Sequence, residues 1–409
     1  MTTAVIISVC TLLLLAYLFD LTSAKTKIPA VILLILLGWG VRQATVVLQM
    51  PIPNLTPILP ILGTIGLILI VLEGSLELEL NRSKMRFVGK ASLLALLPML
   101  LFSFGLAYAF QRWAGTSFMV GMANAVPFAI ISSAIAIPSA QNLLPRDREF
   151  VTYESSLSDI FGVLVFNFIT LHETITGKSI GEFFLQIVVM LLITFLTTLM
   201  LAFLLGRIRH HVKFGPIILM VLLIYAASKI YHLPGLIFIL LFGLFLGNLD
   251  EFRNIRFIQK LRPQILNQEV HKFKDLTTEI TFLIRALFFL VFGYLIETEE
   301  LLNVETIAWA TGITLGIFVL RFLALKAFRM PTRPLLFIAP RGLITILLFL
   351  SLPASLVTEA SSRSLLIQVI ILTALVMMFG AMTHPADKKP VLVDEQPDTS
   401  ALPVPDPIV

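Results

Sequence analysis

The architecture is written most plainly in residues 123–138, which read Ala123-Asn124-Ala125-Val126-Pro127-Phe128-Ala129-Ile130-Ile131-Ser132-Ser133-Ala134-Ile135-Ala136-Ile137-Pro138. The stretch is apolar enough to be buried, yet two prolines bracket a run of small and polar residues. Proline lacks the N–H that a helix needs and clashes with the preceding turn, so the pattern predicts an interrupted helix whose freed carbonyls need other partners. A second stretch of the same character carries Pro334, Pro340-Arg341-Gly342 and Pro353. Paired interrupted helices in corresponding halves point to a transport site built at mid-membrane by inverted repeats. Gly66 to Leu80, GLILIVLEGSLELEL, echoes Leu287 to Leu301, LFFLVFGYLIETEEL, with Gly74 aligned to Gly293. That echo equates the third span with the tenth and the fifth with the twelfth, and predicts inverted repeats over spans 1–6 and 8–13. Two kinked packing helices in a large bundle are the competing explanation.

Working outward, the whole chain has the composition of a membrane protein. Of its 409 residues 57% are hydrophobic and 13% charged, too little charge to cover a soluble surface of this size. The mean hydropathy is +0.95. Apolar stretches long enough to cross about 30 Å of hydrocarbon recur near 4–19, 28–48, 58–80, 90–110, 118–142, 149–170, 181–205, 214–231, 233–249, 279–297, 304–328, 334–355 and 363–383. The expected fold is therefore an all-α polytopic membrane protein of about 13 transmembrane helices. The membrane domain takes residues 1–384, and the Pro- and Asp-rich residues 385–409 form a short disordered tail. The stretch 250–277 reads as a long basic loop. Residues 1–19 lack a basic leader and a cleavage site, and read as a retained first span. The single cysteine, Cys10, excludes an internal disulfide or a cysteine-built metal cluster.

Lysines and arginines sort the loops. Odd-numbered loops and the tail hold 22 of the 30, among them Lys27, Arg146 and Arg333, while even-numbered loops hold 5. The positive-inside rule then puts the N-terminus outside and the C-terminus in the cytoplasm. A net charge of +5 is explained by this distribution and needs no nucleic-acid partner.

Three acids and three bases lie inside the spans: Glu73, Glu154, Asp159, Arg285, Arg321 and Arg341. Charges in hydrocarbon cost several kcal/mol unless paired or hydrated, which makes all six functional candidates. Asp159 falls near the middle of the sixth span, within Glu154-Ser155-Ser156-Leu157-Ser158-Asp159. Helical spacing stacks Ser155 under Asp159 and Glu154 under Ser158, so carboxylate and hydroxyl oxygens share a face, as a hard monovalent cation or a proton requires. The competing reading has the serines bonding back to the helix and Asp159 neutralising an arginine. Glu154 reads as a structural partner of Arg321, which lies at matching depth. Arg341 either partners an acid or supplies fixed positive charge. Glu73 either pairs with Arg285 or helps coordinate the ion.

These motifs resemble the monovalent cation/proton antiporter superfamily, and within it the sodium/proton exchanger branch. The resemblance runs over about residues 10–383. It rests on Glu73-Gly74, the Glu-Ser-x-x-x-Asp pattern at 154–159, Phe-Phe-Leu-Val-Phe-Gly at 288–293 and Ala339-Pro340-Arg341-Gly342-Leu343. It implies a homodimer, each protomer having a dimerisation domain and a mobile six-helix core. It also implies that Asp159 is the essential ion-binding carboxylate and Ser155 a ligand, with Glu154 and Arg321 a structural pair and Arg341 the arginine of the second crossing helix. Two departures stand out. Ser158 occupies the position usually held by Asn or Asp, and the fifth span has Ser132-Ser133-Ala134-Ile135 at its break, where Thr-Asp-Pro is usual.

The expected activity is alternating-access exchange of a monovalent cation, Na+, for H+ around Asp159. Ser155, Ser158, Ser132 and Ser133 supply further oxygens. A single site carboxylate suggests electroneutral exchange. No cofactor is expected beyond the transported Na+ or K+ and H+, and the expected location is a bacterial inner membrane, in contact with the lipid bilayer. A K+/H+ antiporter and a non-transporting sensor or scaffold of the same fold are the rival readings. An enzyme is not expected, because a lone aspartate with no zinc-ligating His cluster does not make a hydrolase.

Overall fold

The computed structural model describes residues 2–49, 54–78, 84–172, 176–207, 213–252, 263–358 and 361–383. The tail at 385–409 and residues 253–262 of the basic stretch lie outside the described residues. Helices make up most of the described chain, and no strand occurs among the described residues. The longer helices are α1 (Thr2–Thr26), α2 (Ala30–Val47), α3 (Ile58–Glu77), α4 (Met85–Ala114), α5 (Phe118–Ala129), α6 (Ser133–Ser139) and α7 (Pro145–Leu171). There follow α8 (Gly177–Arg207), α9 (Phe214–Ile230), α10 (Gly235–Gly247), α11 (Pro263–Tyr294), α12 (Val304–Ala327), α13 (Leu343–Leu350) and α14 (Arg363–Thr383). Helix is what a bilayer demands, because hydrocarbon offers no partner to an unpaired backbone group.

Among the described residues, ten spans are long and apolar enough to cross a membrane, with α5 and α6 together forming one of them. The shorter apolar helices α9 and α10 occupy two more of the expected segments. The segment expected at 334–355 behaves differently: residues 331–342 are non-helical and only α13 is helical. Pro334, Pro340 and Gly342 explain this, since two of them cannot donate and the third favours no helix. A second correction concerns the stretch 250–277. Instead of a loop throughout, it contains the first turns of α11, which begins at Pro263. Leu266, Val270 and Phe273 are buried at helical spacing, and Phe273 packs on Phe214 with ring centroids 6.1 Å apart. Lys213 pairs with Glu269 beside them. An amphipathic face therefore extends the helix beyond its apolar portion.

Packing sorts the helices into two groups. One consists of α1, α2, α3 and α8–α11; the other of α4–α7 and α12–α14, which amounts to six spans when each interrupted segment is counted once. The α3 helix touches both, meeting α6, α7 and α13 on one side and α10 and α11 on the other. Close approach within the first group depends on glycine. A Cβ on Gly38 of α2 would stand 2.2 Å from the Leu290 carbonyl of α11, and one on Gly293 would stand 2.2 Å from the Ile35 carbonyl.

Candidate ion site

The site is built where the two interrupted spans cross against α7. Ser117 caps α5, accepting from the Val120 N–H at 3.3 Å, and Pro127 sits near the other end of that helix. Residues 130–132 are then extended before α6 begins. Interrupting a buried helix strands backbone groups, and each must find a partner. The N–H of Ile131 donates to Ser158 Oγ at 3.0 Å. The N–H of Ser132 donates to the Pro340 carbonyl at 2.9 Å, which ties the two interrupted spans together. The N–H of Ser133 donates to Asp159 Oδ2 at 3.3 Å, and the Ser133 hydroxyl donates to the same oxygen.

The carbonyls of the break are met by Arg341. Its Nε donates to the Phe128 carbonyl at 2.7 Å, its Nη2 to that of Ala129 at 3.1 Å and its Nη1 to that of Ala339 at 2.7 Å. A buried guanidinium thus spans the carbonyl end of α5 and the non-helical arm of the other interrupted span. The positive charge opposes the partial negative charge of a helix C-terminus. Arg341 donates to carbonyls and forms no contact ion pair among the described residues.

Asp159 lies near the middle of α7, with 2% of its surface exposed. Its Oδ1 is buried and has no hydrogen-bond partner among the described residues, and the same holds for Ser156 Oγ one turn away. The Ser155 hydroxyl donates to the Val151 carbonyl at 2.7 Å, which leaves its lone pairs able to accept a cation. Ser158 uses its oxygen to accept from Ile131, and Ser132 lies beside Gly342, its Oγ 3.1 Å from where a Cβ there would stand. Ser133 alone bonds the Asp159 carboxylate among the described residues, while Ser155 and Ser158 precede it on α7 and Ser132 lies in the break.

Glu154, one and a half turns from Asp159, is engaged elsewhere. Arg321 donates Nη1 to its Oε1 at 2.9 Å and Nη2 to its Oε2 at 2.8 Å, a bidentate pair that is buried on both sides. Arg321 also donates Nε to the Leu335 carbonyl at 2.8 Å, fixing the non-helical arm to α12. Glu73 stands apart on α3 and is half-buried. Thr278, Lys274 and Arg285 of α11 neighbour it. Glu73 and Arg285 form no contact ion pair among the described residues.

Sequence reasoning passed over Ser156, which differs from its neighbours only in its orientation. A clue lay in Gly74, because a Cβ there would stand 3.0 Å from Ser156 Oγ. The glycine of Glu73-Gly74 is where α3 meets α7.

A buried carboxylate held at the crossing of two interrupted spans is the arrangement expected of a multi-pass membrane transporter. The family model described as "Sodium/hydrogen exchanger, transmembrane" matches residues 10–388, and this chain belongs to that family. The family consists of transporters and not enzymes. Among solved structures, the fold is similar to that of the sodium proton antiporter MjNhaP1 from Methanocaldococcus jannaschii at pH 8. That match has a TM-score of 0.67 and 20% identity, covering 93% of this chain and 99% of that one. An electron-microscopy map of the same antiporter matches with a TM-score of 0.69 and 19% identity, covering 95% and 100%. No curated protein sequence gives a significant match.

Proposed function

We propose that the protein exchanges Na+ for H+ by alternating access around Asp159, one cation for one proton. The observation that carries this reading is the Asp159 carboxylate itself. It is buried, bonded through one oxygen to Ser133 and unpartnered at the other among the described residues. A carboxylate in that setting is stable as a protonated acid or as an anion holding a cation, and the two states exclude one another. Ser155 serves as a neutral ligand, with Ser132, Ser133 and Ser158 orienting the carboxylate and the break. Ser132-Ser133-Ala134-Ile135 holds no carboxylate at the break, where the resembling family usually has one. The site thus has one negative charge to trade, and the exchange is electroneutral.

The six-span group of α4–α7 and α12–α14 is the moving core in this reading. The panel containing α1, α2 and α8–α11 forms the homodimer contact. The exposed apolar faces of α1 and α8 favour that assignment. The N-terminus lies outside and the basic loops lie in the cytoplasm of a bacterial inner membrane.

The test is cation-driven proton flux in proteoliposomes carrying wild type or Asp159→Asn, with Na+, K+ and Li+ salts compared. Wild type should collapse a preset pH gradient with Na+, and Asp159→Asn should lose at least about a hundredfold of that rate. Equal flux in both proteins would overturn the mechanism. Preference for K+ would assign a K+/H+ antiporter. Absence of flux with every cation would favour a sensor or scaffold, a reading motivated by Ser132-Ser133-Ala134.

A further inference from the structure

Many hydroxyls on these helices bond back to the preceding turn, as those of Ser103, Thr152, Ser155 and Thr281 do, each to the carbonyl four residues earlier. Ser156 does not. It is buried, and its Oγ has no hydrogen-bond partner among the described residues. On α7 one other buried side-chain oxygen shares that state among the described residues, Oδ1 of Asp159. A buried oxygen left unmatched is costly and rare, so two of them one turn apart call for a common explanation.

Residues three apart on a helix are neighbours on its surface, so Ser156 and Asp159 share a side of α7. Two helices enclose that side. From α6, Ser133 bonds the Asp159 carboxylate, and Ile137 lies one turn further along. From α3 comes Gly74, where a Cβ would stand 3.0 Å from Ser156 Oγ and 3.7 Å from Ile137 Cδ1. The three helices thus meet at the Ser156 hydroxyl, and the missing side chain at Gly74 leaves it room. The other serines of α7 near Asp159 are committed: Ser155 donates to the Val151 carbonyl, and Ser158 accepts from the Ile131 N–H. Ser156 keeps its lone pairs free. A neutral hydroxyl oxygen next to an anionic carboxylate oxygen suits a small hard cation.

We propose that Ser156 is a further ligand of the transported monovalent cation, with Gly74 the positioning residue that fixes where its hydroxyl stands. The inference rests on the exchange reading above and adds a ligand to it. A cation shared by Asp159 Oδ1 and Ser156 Oγ satisfies both oxygens at once. Loss of the hydroxyl therefore weakens cation binding and leaves folding unharmed.

The test reads cation binding on the purified full-length protein and needs no flux. The thermal midpoint is followed as NaCl, KCl or LiCl replaces choline chloride at fixed pH and ionic strength. Wild type should be stabilised by at least one of the three cations, and Asp159→Asn should not. Ser156→Ala and Ser156→Cys should each raise the half-saturating concentration of that cation at least about fivefold, the loss of one oxygen from a charged guest. Their midpoints in choline chloride should stay at or above that of wild type. A role in packing alone would lower the choline midpoint and leave half-saturation unchanged, and that result would overturn the proposal. Gly74→Ala should weaken binding too, and Gly74→Ala/Ser156→Ala should be no worse than Ser156→Ala, because the added carbon acts through the hydroxyl. Additive losses would overturn the role of Gly74. Stabilisation that needs Asp159 but not Ser156 would overturn the proposal and leave the exchange reading standing. Stabilisation absent from wild type, or intact in Asp159→Asn, would overturn both. If Ser156→Ala does not fold, Ser156→Cys alone serves, since sulfur fills the place but binds hard cations poorly.

Discussion

Asp159 and Glu154 are both buried carboxylates on α7, yet their surroundings separate them. Glu154 meets a guanidinium through both oxygens, whereas Asp159 meets only the N–H and hydroxyl of Ser133. Removing one partner of a buried pair leaves an uncompensated charge, at a cost of about 3–5 kcal/mol. Glu154→Ala should therefore lower the thermal unfolding midpoint sharply. Glu154→Ala/Arg321→Ala should recover part of the loss, and a double variant no better than the single would argue against the pairing. Ser156 gives the opposite expectation. Its hydroxyl is buried without a partner among the described residues, so Ser156→Ala removes an unsatisfied group. Its midpoint should stay level or rise slightly; a fall would reveal a partner for the hydroxyl.

At the level of elements, the interrupted spans persist because their stranded backbone groups are matched one by one. Arg341 is the hub of that matching, serving the carbonyls of Phe128, Ala129 and Ala339. Lysine keeps the charge but concentrates its donors on one nitrogen, and cannot span three carbonyls as a planar fork does. Arg341→Lys should cost about 1–3 kcal/mol for each carbonyl left unmet, read as a lowered midpoint in detergent. The α2–α11 contact makes a separate demand. A Cβ on Gly38 or Gly293 would strike backbone, which cannot swing aside as a side chain can. Gly293→Ala should reduce the folded yield, whereas Gly312→Ala, with nothing within 4 Å of the added carbon, should not.

For the whole molecule, the proposed exchange on one carboxylate has consequences that can be measured without a structure. On the proposed mechanism a proton and a cation compete for Asp159, so the apparent KM for Na+ should rise as pH falls. The rise approaches about tenfold per pH unit once the protonated form dominates. One-for-one exchange also moves no net charge across the bilayer. A membrane potential does work of about 2.3 kcal/mol per elementary charge per 100 mV, so it has nothing to act on over the full cycle. The extent of Na+-driven pH change should be the same at imposed potentials of either sign. A dependence on potential would mean that a second group carries charge in the cycle, and Glu73 would be the first to examine.

The linear chain determined the class of this protein through local quantities. Apolar length marks the spans, proline and glycine mark where 118–142 and 334–355 are interrupted, and charge in an apolar setting marks Asp159 and Glu154. Each can be read from a short window because the bilayer penalises exceptions heavily. Matching depth brought Glu154 and Arg321 to one level, and the helices place them in contact. Other features were beyond local reading. Non-helical backbone through 331–342, the extra turns of α11 and the carbonyls that Arg341 serves all depend on groups far away in sequence. So does the difference between Ser155, Ser156 and Ser158, three identical side chains on one helix. Only their rotation about α7, set by how α3, α6 and the crossing arm pack on it, gives each hydroxyl its surroundings. Tertiary structure decided those because hydrogen-bond partners and cavities belong to pairs of elements, and no single segment contains them.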